Sequence, residues 1–124
     1  PPLIGFDVSV PIGDFEKTIH AIKQDLKRGW PEALIVTFGH LADSNLHMII
    51  ALDKLTEGTK HSVEEVVYRH VAHVGGSVSA EHGIGRSKMA YLPLSRSPAE
   101  LALMKNIKNA LDPNNILSPG RIFN

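Results

Sequence analysis

Residues 33–52 read ALIVTFGHLADSNLHMIIAL, and this stretch decides the fold. Two apolar runs, residues 33–38 and 46–52, stand on either side of a polar loop. Both runs are rich in the branched and aromatic residues that favour extended backbone. The stretch therefore predicts two adjacent antiparallel strands, with the loop residues exposed at one end of the sheet.

The residues before this hairpin predict a strand and then a helix. Residues 6–10 alternate apolar and polar side chains, which is typical of a half-buried strand, and Pro11 stops the pattern. Asp14 is in the right place to begin a helix, and Gly29 to end it. Between them the apolar side chains share one helical face: Phe15, Ile19, Ile22 and Leu26.

The residues after the hairpin predict a second helix from about Ser62 to Val74 and a short extended piece at residues 77–79. The order β-α-β-β-α-β indicates an α+β, ferredoxin-like antiparallel sheet with helices on one face. A C-terminal helix and a tail follow, and Ser97 and Glu100 have the spacing of a capping box at the start of that helix. Its apolar face is predicted to be Leu101, Met104, Ile107 and Leu111.

Composition excludes several classes of protein. The 124 residues suffice for one domain, 1–124, and 13 basic residues balance 13 acidic ones, so no net charge attracts nucleic acid. There is no cysteine, and no apolar run approaches the roughly 20 residues of an integral membrane segment. The chain begins Pro1-Pro2 without a methionine, which predicts an excised fragment or a processed product.

Two histidines of the hairpin are candidate metal ligands. His40 ends the first predicted strand and His47 lies in the second, so the hairpin can bring both imidazoles to one end of the sheet. Asn45, two residues before His47, shares its face. Neutral imidazoles suit Zn²⁺, Fe²⁺ or Mn²⁺. The alternative is that these are merely polar loop residues.

A second candidate group is the Glu81-His82 pair, which glycines follow closely. Glu81 would complete a set of two histidines and a carboxylate, which is typical of a catalytic metal site with open positions. Successive residues of extended backbone point in opposite directions, so His82 is expected to have a different task from Glu81. The alternative is a glycine-rich turn without chemistry.

These motifs resemble those of a known family. Residues 39–47 resemble G-H-x-G-D-G-N-x-H, although Ala42 and Ser44 replace two of its glycines. Residues 75–85 resemble G-G-x-x-S-x-E-H-G-x-G, and residues 94–121 resemble the closing segment of the same family. Together they are similar to the C-terminal domain of FAD-linked oxidases, which includes D-lactate dehydrogenases, glycolate oxidase subunits and D-2-hydroxyglutarate dehydrogenases.

The resemblance implies a role for each site residue. His40, His47 and Glu81 would hold a divalent metal, usually Zn²⁺, and His82 would be the general base. Asn45 would lie near the substrate. Arg121 stands where the family usually has a lysine close to the flavin. FAD itself would be bound mainly by an N-terminal domain outside these residues.

The resulting hypothesis is the substrate- and metal-binding part of a flavin-dependent dehydrogenase that oxidises a D-2-hydroxy acid, inactive as a fragment. The expected partners are the small hydroxy acid and the FAD-binding domain, with a homo-oligomer as one further expectation. The expected location is cytoplasmic, or at a membrane through an electron acceptor. The alternative function is a non-catalytic ferredoxin-like module that binds a metabolite or a metal.

Overall fold

The computed structural model describes residues 1–123, and its centre is a three-stranded antiparallel sheet. The strands are β1 (Leu3–Ser9), β2 (Leu34–His40) and β3 (Asn45–Ala51), and β3 lies between the other two. The predicted hairpin is confirmed, because β2 and β3 pair along their whole length. The α+β class is confirmed as well. Asn124, the last residue of the predicted tail, lies outside the described residues.

Three helices accompany the sheet: α1 (Phe15–Gly29), α2 (Glu57–His73) and α3 (Pro98–Leu111). Helix α2 begins five residues before the predicted start because the Thr56 side chain accepts a hydrogen bond from the Thr59 backbone and so caps it. Short 3₁₀ turns occur at residues 12–14, 41–43 and 89–94. Within residues 1–123, no helix combines the length and the apolar character that crossing a membrane requires.

The two faces of the sheet have different surroundings. One face, with Phe6, Val8 and Met48, packs against α1 and α2 to form the core, since apolar side chains gain by leaving water. The fully buried helical members of that core are Ile22, Leu26, Val63, Val67 and Val71.

The opposite face of the sheet is open to solvent along β2. The outward side chains of β2, Leu34, Val36 and Phe38, are each more than half exposed. This open face carries the candidate site at one end.

The predicted fourth strand at residues 77–79 is reduced to a single bridge between Ser9 and Ser77. Beyond that bridge, the backbone N–H groups of Glu81 and His82 donate to the side chain of Asp7 instead of pairing with a strand backbone. The segment therefore leaves the sheet as a loop because a carboxylate, rather than a carbonyl ladder, satisfies its donors. The ferredoxin-like order is otherwise retained.

The junction between α2 and this loop needs a glycine. A Cβ atom added at Gly76 would lie 2.2 Å from the Ser9 carbonyl oxygen and 2.9 Å from that of Val71. Both are backbone atoms, which cannot move aside cheaply.

We therefore expect Gly76→Ala to lower the free energy of unfolding by about 1–3 kcal/mol. Urea denaturation of both proteins measures this. Gly13→Ala is the matched control, since a Cβ there meets nothing within 4 Å. Equal stability of Gly76→Ala and the wild type would show that the close approach is not a constraint.

Helix α3 begins with the predicted capping box. The Ser97 side chain accepts from the Glu100 backbone, and the Glu100 carboxylate accepts from the Ser97 backbone. The predicted apolar face is confirmed only in part. Leu101 and Met104 are partly buried, whereas Ile107 and Leu111 are 52% and 77% exposed.

Candidate metal and substrate site

The hairpin brings the predicted site residues to one end of the open face. His47 on β3 lies between Phe38 on β2 and Asp7 on β1 in the strand register, and Asn45 lies opposite His40. The Phe38 and His47 rings stack with centroids 5.2 Å apart. The two-residue periodicity of β3 places Asn45 and His47 on the same face, as predicted.

Glu81 reaches this end of the sheet from the loop after α2. Its Oε1 atom accepts a hydrogen bond from Asn45 Nδ2 at 2.6 Å and lies 3.1 Å from His47 Nε2. The Glu81 carboxylate and the His47 imidazole are 34 residues apart in sequence, yet they lie close enough for one metal ion to be bound by both.

His40 lies at the rim of the site. Its side chain is 66% exposed, with Nδ1 4.0 Å from Asp43 Oδ2. Its ring centroid is 6.2 Å from that of His47. Within the described residues, the candidate ligand atoms within 4.8 Å of one another come from Asp7, His47, Glu81 and His82. The prediction that His40 is a ligand therefore requires its exposed ring to turn towards His47 when a metal binds.

The loop between His40 and Asn45 has a serine, Ser44, at one of the two positions where the motif has glycine. Ser44 has a φ of 56°, in the left-handed region that glycine adopts without a steric penalty. Its carbonyl accepts from the Val10 backbone at 2.9 Å, which ties the loop to the segment after β1.

Asp7 is the site residue that sequence reasoning missed. It is only 2% exposed, and its carboxylate accepts from the backbone N–H groups of His82 at 2.8 Å and Glu81 at 3.1 Å. In the sequence, Asp7 is visible only as an acidic residue between the apolar residues Phe6 and Val8. The alternation of apolar and polar residues by itself assigns such a residue to the solvent-exposed face of the strand. Here the polar face of β1 is the buried floor of the site.

Asp7 is nevertheless held in its ionised form. Burial by itself raises the pKa of a carboxyl group, but the two backbone donors from His82 and Glu81, with the charges of Lys88 and His82, outweigh it. The pKa of Asp7 is therefore lowered from its ordinary value.

Lys88 is the cationic partner of Asp7 beneath the site. Its Nζ is 3.6 Å from Asp7 Oδ2 and donates to Ser79 Oγ at 3.0 Å. Burial lowers the pKa of Lys88, and the charge of Asp7 opposes that shift. Only 12% of the Lys88 side chain is exposed, so its positive charge pairs with Asp7 and is not accessible to a ligand in solvent.

His82 lies next to Glu81 with its side chain 67% exposed. Its Nδ1 is 3.8 Å from Asp7 Oδ2, and its ring centroid is 5.7 Å from that of His47. Gly83, with a φ of 80°, turns the backbone immediately afterwards. An exposed imidazole beside the candidate ligands can exchange a proton with a bound molecule.

The donor set fits a divalent metal. His47 and Glu81 offer a nitrogen and an oxygen at one point, with a second imidazole at His82, and such mixed sets bind Zn²⁺ and similar ions. Asn45 adds an independent observation. Its Oδ1 is buried but has no hydrogen-bond partner among residues 1–123, and such atoms normally have one.

Arg121 lies in the tail, after the last helix. It lines a shallow cavity of about 240 Å³ together with Lys105 and Lys108. The Ile122 backbone donates to the Gly85 carbonyl at 2.9 Å, so the tail is attached to the same loop that carries Glu81 and His82.

A groove of about 640 Å³ lies between α1 and α2. His70 and His73 line it, and His70 Nε2 lies 2.8 Å from Asp25 Oδ2.

Comparison with known proteins identifies the family of this chain. The model of the family "FAD linked oxidases, C-terminal domain" matches residues 1–122. A D-2-hydroxyglutarate dehydrogenase of Stutzerimonas stutzeri is 42% identical over 122 residues, covering 94% of this chain and 26% of that protein. A mitochondrial D-2-hydroxyglutarate dehydrogenase of Arabidopsis thaliana is 36% identical, covering 95% and 21%. A D-lactate dehydrogenase of Anaerostipes hadrus is 40% identical over 92 residues, covering 71% and 19%.

The chain spans about a quarter or less of the length of these relatives. The match runs through both candidate constellations and the tail that carries Arg121. This chain belongs to the family of C-terminal domains of FAD-linked oxidases.

Proposed function

We propose that this chain is the metal- and substrate-binding part of a flavin-dependent dehydrogenase that oxidises a D-2-hydroxy acid to the 2-oxo acid. The observation that carries the proposal is the meeting of Glu81 with His47 and Asn45, beside the exposed imidazole of His82. Relatives named as D-2-hydroxyglutarate and D-lactate dehydrogenases support this substrate class. Glycolate is a further candidate from the family resemblance.

His47 and Glu81 would hold the metal, with His40 as the third ligand. Zn²⁺ is the ion that we propose, and when bound it supplies a Lewis acid that makes a substrate hydroxyl more acidic. Asn45 contributes in two ways. Its Nδ2 donates to Glu81 and orients that carboxylate. Its buried Oδ1, which has no partner among residues 1–123, would accept a hydrogen bond from the substrate after a small shift that exposes it.

His82 would accept the hydroxyl proton of the substrate. One nitrogen of a neutral imidazole keeps its lone pair, so the ring can take up the proton at that nitrogen. The exposed fraction of its side chain, 67%, leaves the ring accessible to a substrate. Its position one residue after Glu81 keeps the base close to the metal ligands.

FAD, when bound, supplies the hydride acceptor. Within residues 1–123, the glycines of the site loop, Gly83 and Gly85, precede a 3₁₀ turn at Met89–Leu94 and do not open a strand–turn–helix unit for a pyrophosphate. We therefore assign most FAD binding to a further domain of the complete protein. Arg121 would contact the cofactor from the tail.

The setting of the complete protein belongs to the same proposal. A FAD-binding domain is its first expected partner, and a homo-oligomer is a further prediction. We propose a cytoplasmic enzyme, with contact to a membrane only through its electron acceptor. Some relatives are named as mitochondrial.

The metal site is tested by metal content. We expect the complete flavoprotein to bind about one Zn²⁺ per chain, and His47→Ala to bind it at least about 100-fold more weakly, because loss of a ligand costs no less than loss of an outer partner. Elemental analysis after equilibrium dialysis measures this.

His73→Ala is the matched control, since His73 lines the groove on the far side of the domain. It should bind Zn²⁺ like the wild type. Equal uptake by His47→Ala and the wild type would contradict the site. Absence of D-2-hydroxy acid oxidation by the metal-loaded flavoprotein would favour a non-catalytic binding module.

A further inference from the structure

One buried carboxylate lies behind two imidazoles of the site. Asp7 Oδ1 is 4.0 Å from His47 Nδ1, and Asp7 Oδ2 is 3.8 Å from His82 Nδ1. Both histidines therefore present the same ring nitrogen to the same acid. The side chain of Asp7 is 1% exposed, so water does not screen it effectively from either ring.

Asp7 is poorly placed to be a ligand itself. Its oxygens already accept from the Glu81 and His82 backbones and from Ser79 Oγ, and Lys88 neutralises its charge from below. A metal would have to displace these partners. The carboxylate is therefore a structural anion whose remaining influence is on the two Nδ1 atoms.

The opposite nitrogen of His47 faces the site. His47 Nε2 is 3.1 Å from Glu81 Oε1, on the far side of the ring from Asp7. In a neutral imidazole one nitrogen carries the proton and the other keeps its lone pair. Without a metal, the nearer Glu81 carboxylate favours the proton on His47 Nε2. A metal bound at Nε2 takes the place of that proton, and the ring then carries its proton on Nδ1, towards Asp7. At His82 the charge of Asp7 favours the proton on Nδ1 and leaves the lone pair on Nε2.

We propose that Asp7 is the shared positioning residue of the site. It sets the Nδ1–H tautomer of His82, and it stabilises the Nδ1–H form of His47 once a metal occupies Nε2. At the same time, its two backbone contacts hold the Glu81–His82 peptide against β1. A closing movement of about 1 Å would turn either Nδ1 separation into a hydrogen bond. The form of His47 and the consequence for turnover rest on the proposed function, whereas the tautomer of His82 does not.

The tautomers are measured directly by ¹⁵N NMR of the complete, zinc-loaded flavoprotein labelled at histidine. His47→Gln and His82→Gln identify the two rings by the loss of their signals. We expect a protonated Nδ1 and an unprotonated Nε2 for both rings in the wild type. An Nε2–H tautomer of His82 would overturn the proposal, whereas an Nε2–H tautomer of His47 would contradict metal binding at that nitrogen. This measurement needs no variant of Asp7.

The Asp7→Asn variant tests the positioning role. Asparagine keeps one acceptor for the backbone donors but has no negative charge. We expect Zn²⁺ affinity and kcat each to fall by about 10–100-fold, the usual effect of losing an outer partner of a metal site, with KM for the hydroxy acid unchanged. The Nδ1–H preference should also weaken in the NMR spectrum.

Val67→Ala, at a fully buried core position in α2, is the control for lost stability. It should lower the thermal midpoint while leaving metal affinity, kcat and tautomers unchanged. Wild-type metal affinity and tautomers in folded Asp7→Asn would overturn the proposal. Turnover by a wild type whose His82 is in the Nε2–H form would refute the positioning role alone. An Nδ1–H form of His82 without turnover would refute the proposed function alone.

Discussion

His82→Ala is expected to lower kcat of the complete flavoprotein by about 10²–10⁴-fold, the usual contribution of a positioned general base. The imidazole is exposed and lies with its ring centroid 5.7 Å from that of His47, so it can reach a substrate bound at the metal ligands. Removing it leaves His47 as the one imidazole in the group Asp7, His47, Glu81 and His82, and His47 is assigned to the metal. Steady-state kinetics with D-lactate and D-2-hydroxyglutarate measures the effect.

Metal content separates this loss from damage to the site. Because His47 and Glu81 remain in His82→Ala, bound Zn²⁺ should stay at the wild-type level. His61→Ala is a suitable control because it also removes an imidazole, but one that pairs with the Tyr91 hydroxyl at 2.8 Å instead of belonging to the candidate site. A wild-type kcat in metal-loaded His82→Ala would remove His82 from the proposed mechanism.

Asp7→Ala is expected to destabilise the fold by about 3–5 kcal/mol, because it leaves the charge of Lys88 buried without a partner. The variant also deprives the Glu81 and His82 backbones of their acceptor. Urea denaturation of the 124-residue chain, followed by fluorescence of Trp30, measures the loss. In contrast, Asp25→Ala removes a partly exposed acid that pairs with His70 and Arg28, and it should cost about 1 kcal/mol or less.

The same carboxylate makes wild-type stability depend on pH. Since folding lowers the pKa of Asp7, its contribution is present above the unfolded-state pKa of about 4 and is lost as the pH falls through the lower folded-state value. The free energy of unfolding should therefore fall on acidification below about pH 4. Asp7→Ala should show a shallower decrease over this range. Parallel curves for the two proteins would contradict the assignment.

Local patterns were sufficient to predict the hairpin and the capped helix α3. The apolar runs at residues 33–38 and 46–52 were sufficient to predict that the two strands pair, because the strand lengths and the loop between them constrain the register. The capping box of Ser97 and Glu100 depends on residues three apart and so is visible in sequence. The motifs of residues 39–47 and 75–85 were sufficient to indicate the family, which the match over residues 1–122 confirms.

The sequence also named the candidate residues but not their arrangement. His47, Asn45 and Glu81 meet as expected, whereas His40 lies at the rim with its ring exposed. Residue spacing shows which end of a strand a histidine occupies. It does not show the side-chain χ angles, which decide where the imidazole ring lies. The assignment of His40 as a ligand stays a prediction.

By itself, then, the sequence determined the α+β class, the hairpin, the family and most of the candidate residues, because these depend on local periodicity and motif spacing. Only the tertiary structure decided that Asp7 is buried and that residues 77–82 leave the sheet. Those outcomes depend on hydrogen bonds between Asp7 and backbone groups 74 and 75 residues later in the chain. Alternation along a strand describes its two faces, but it does not reveal which distant loop covers the polar one.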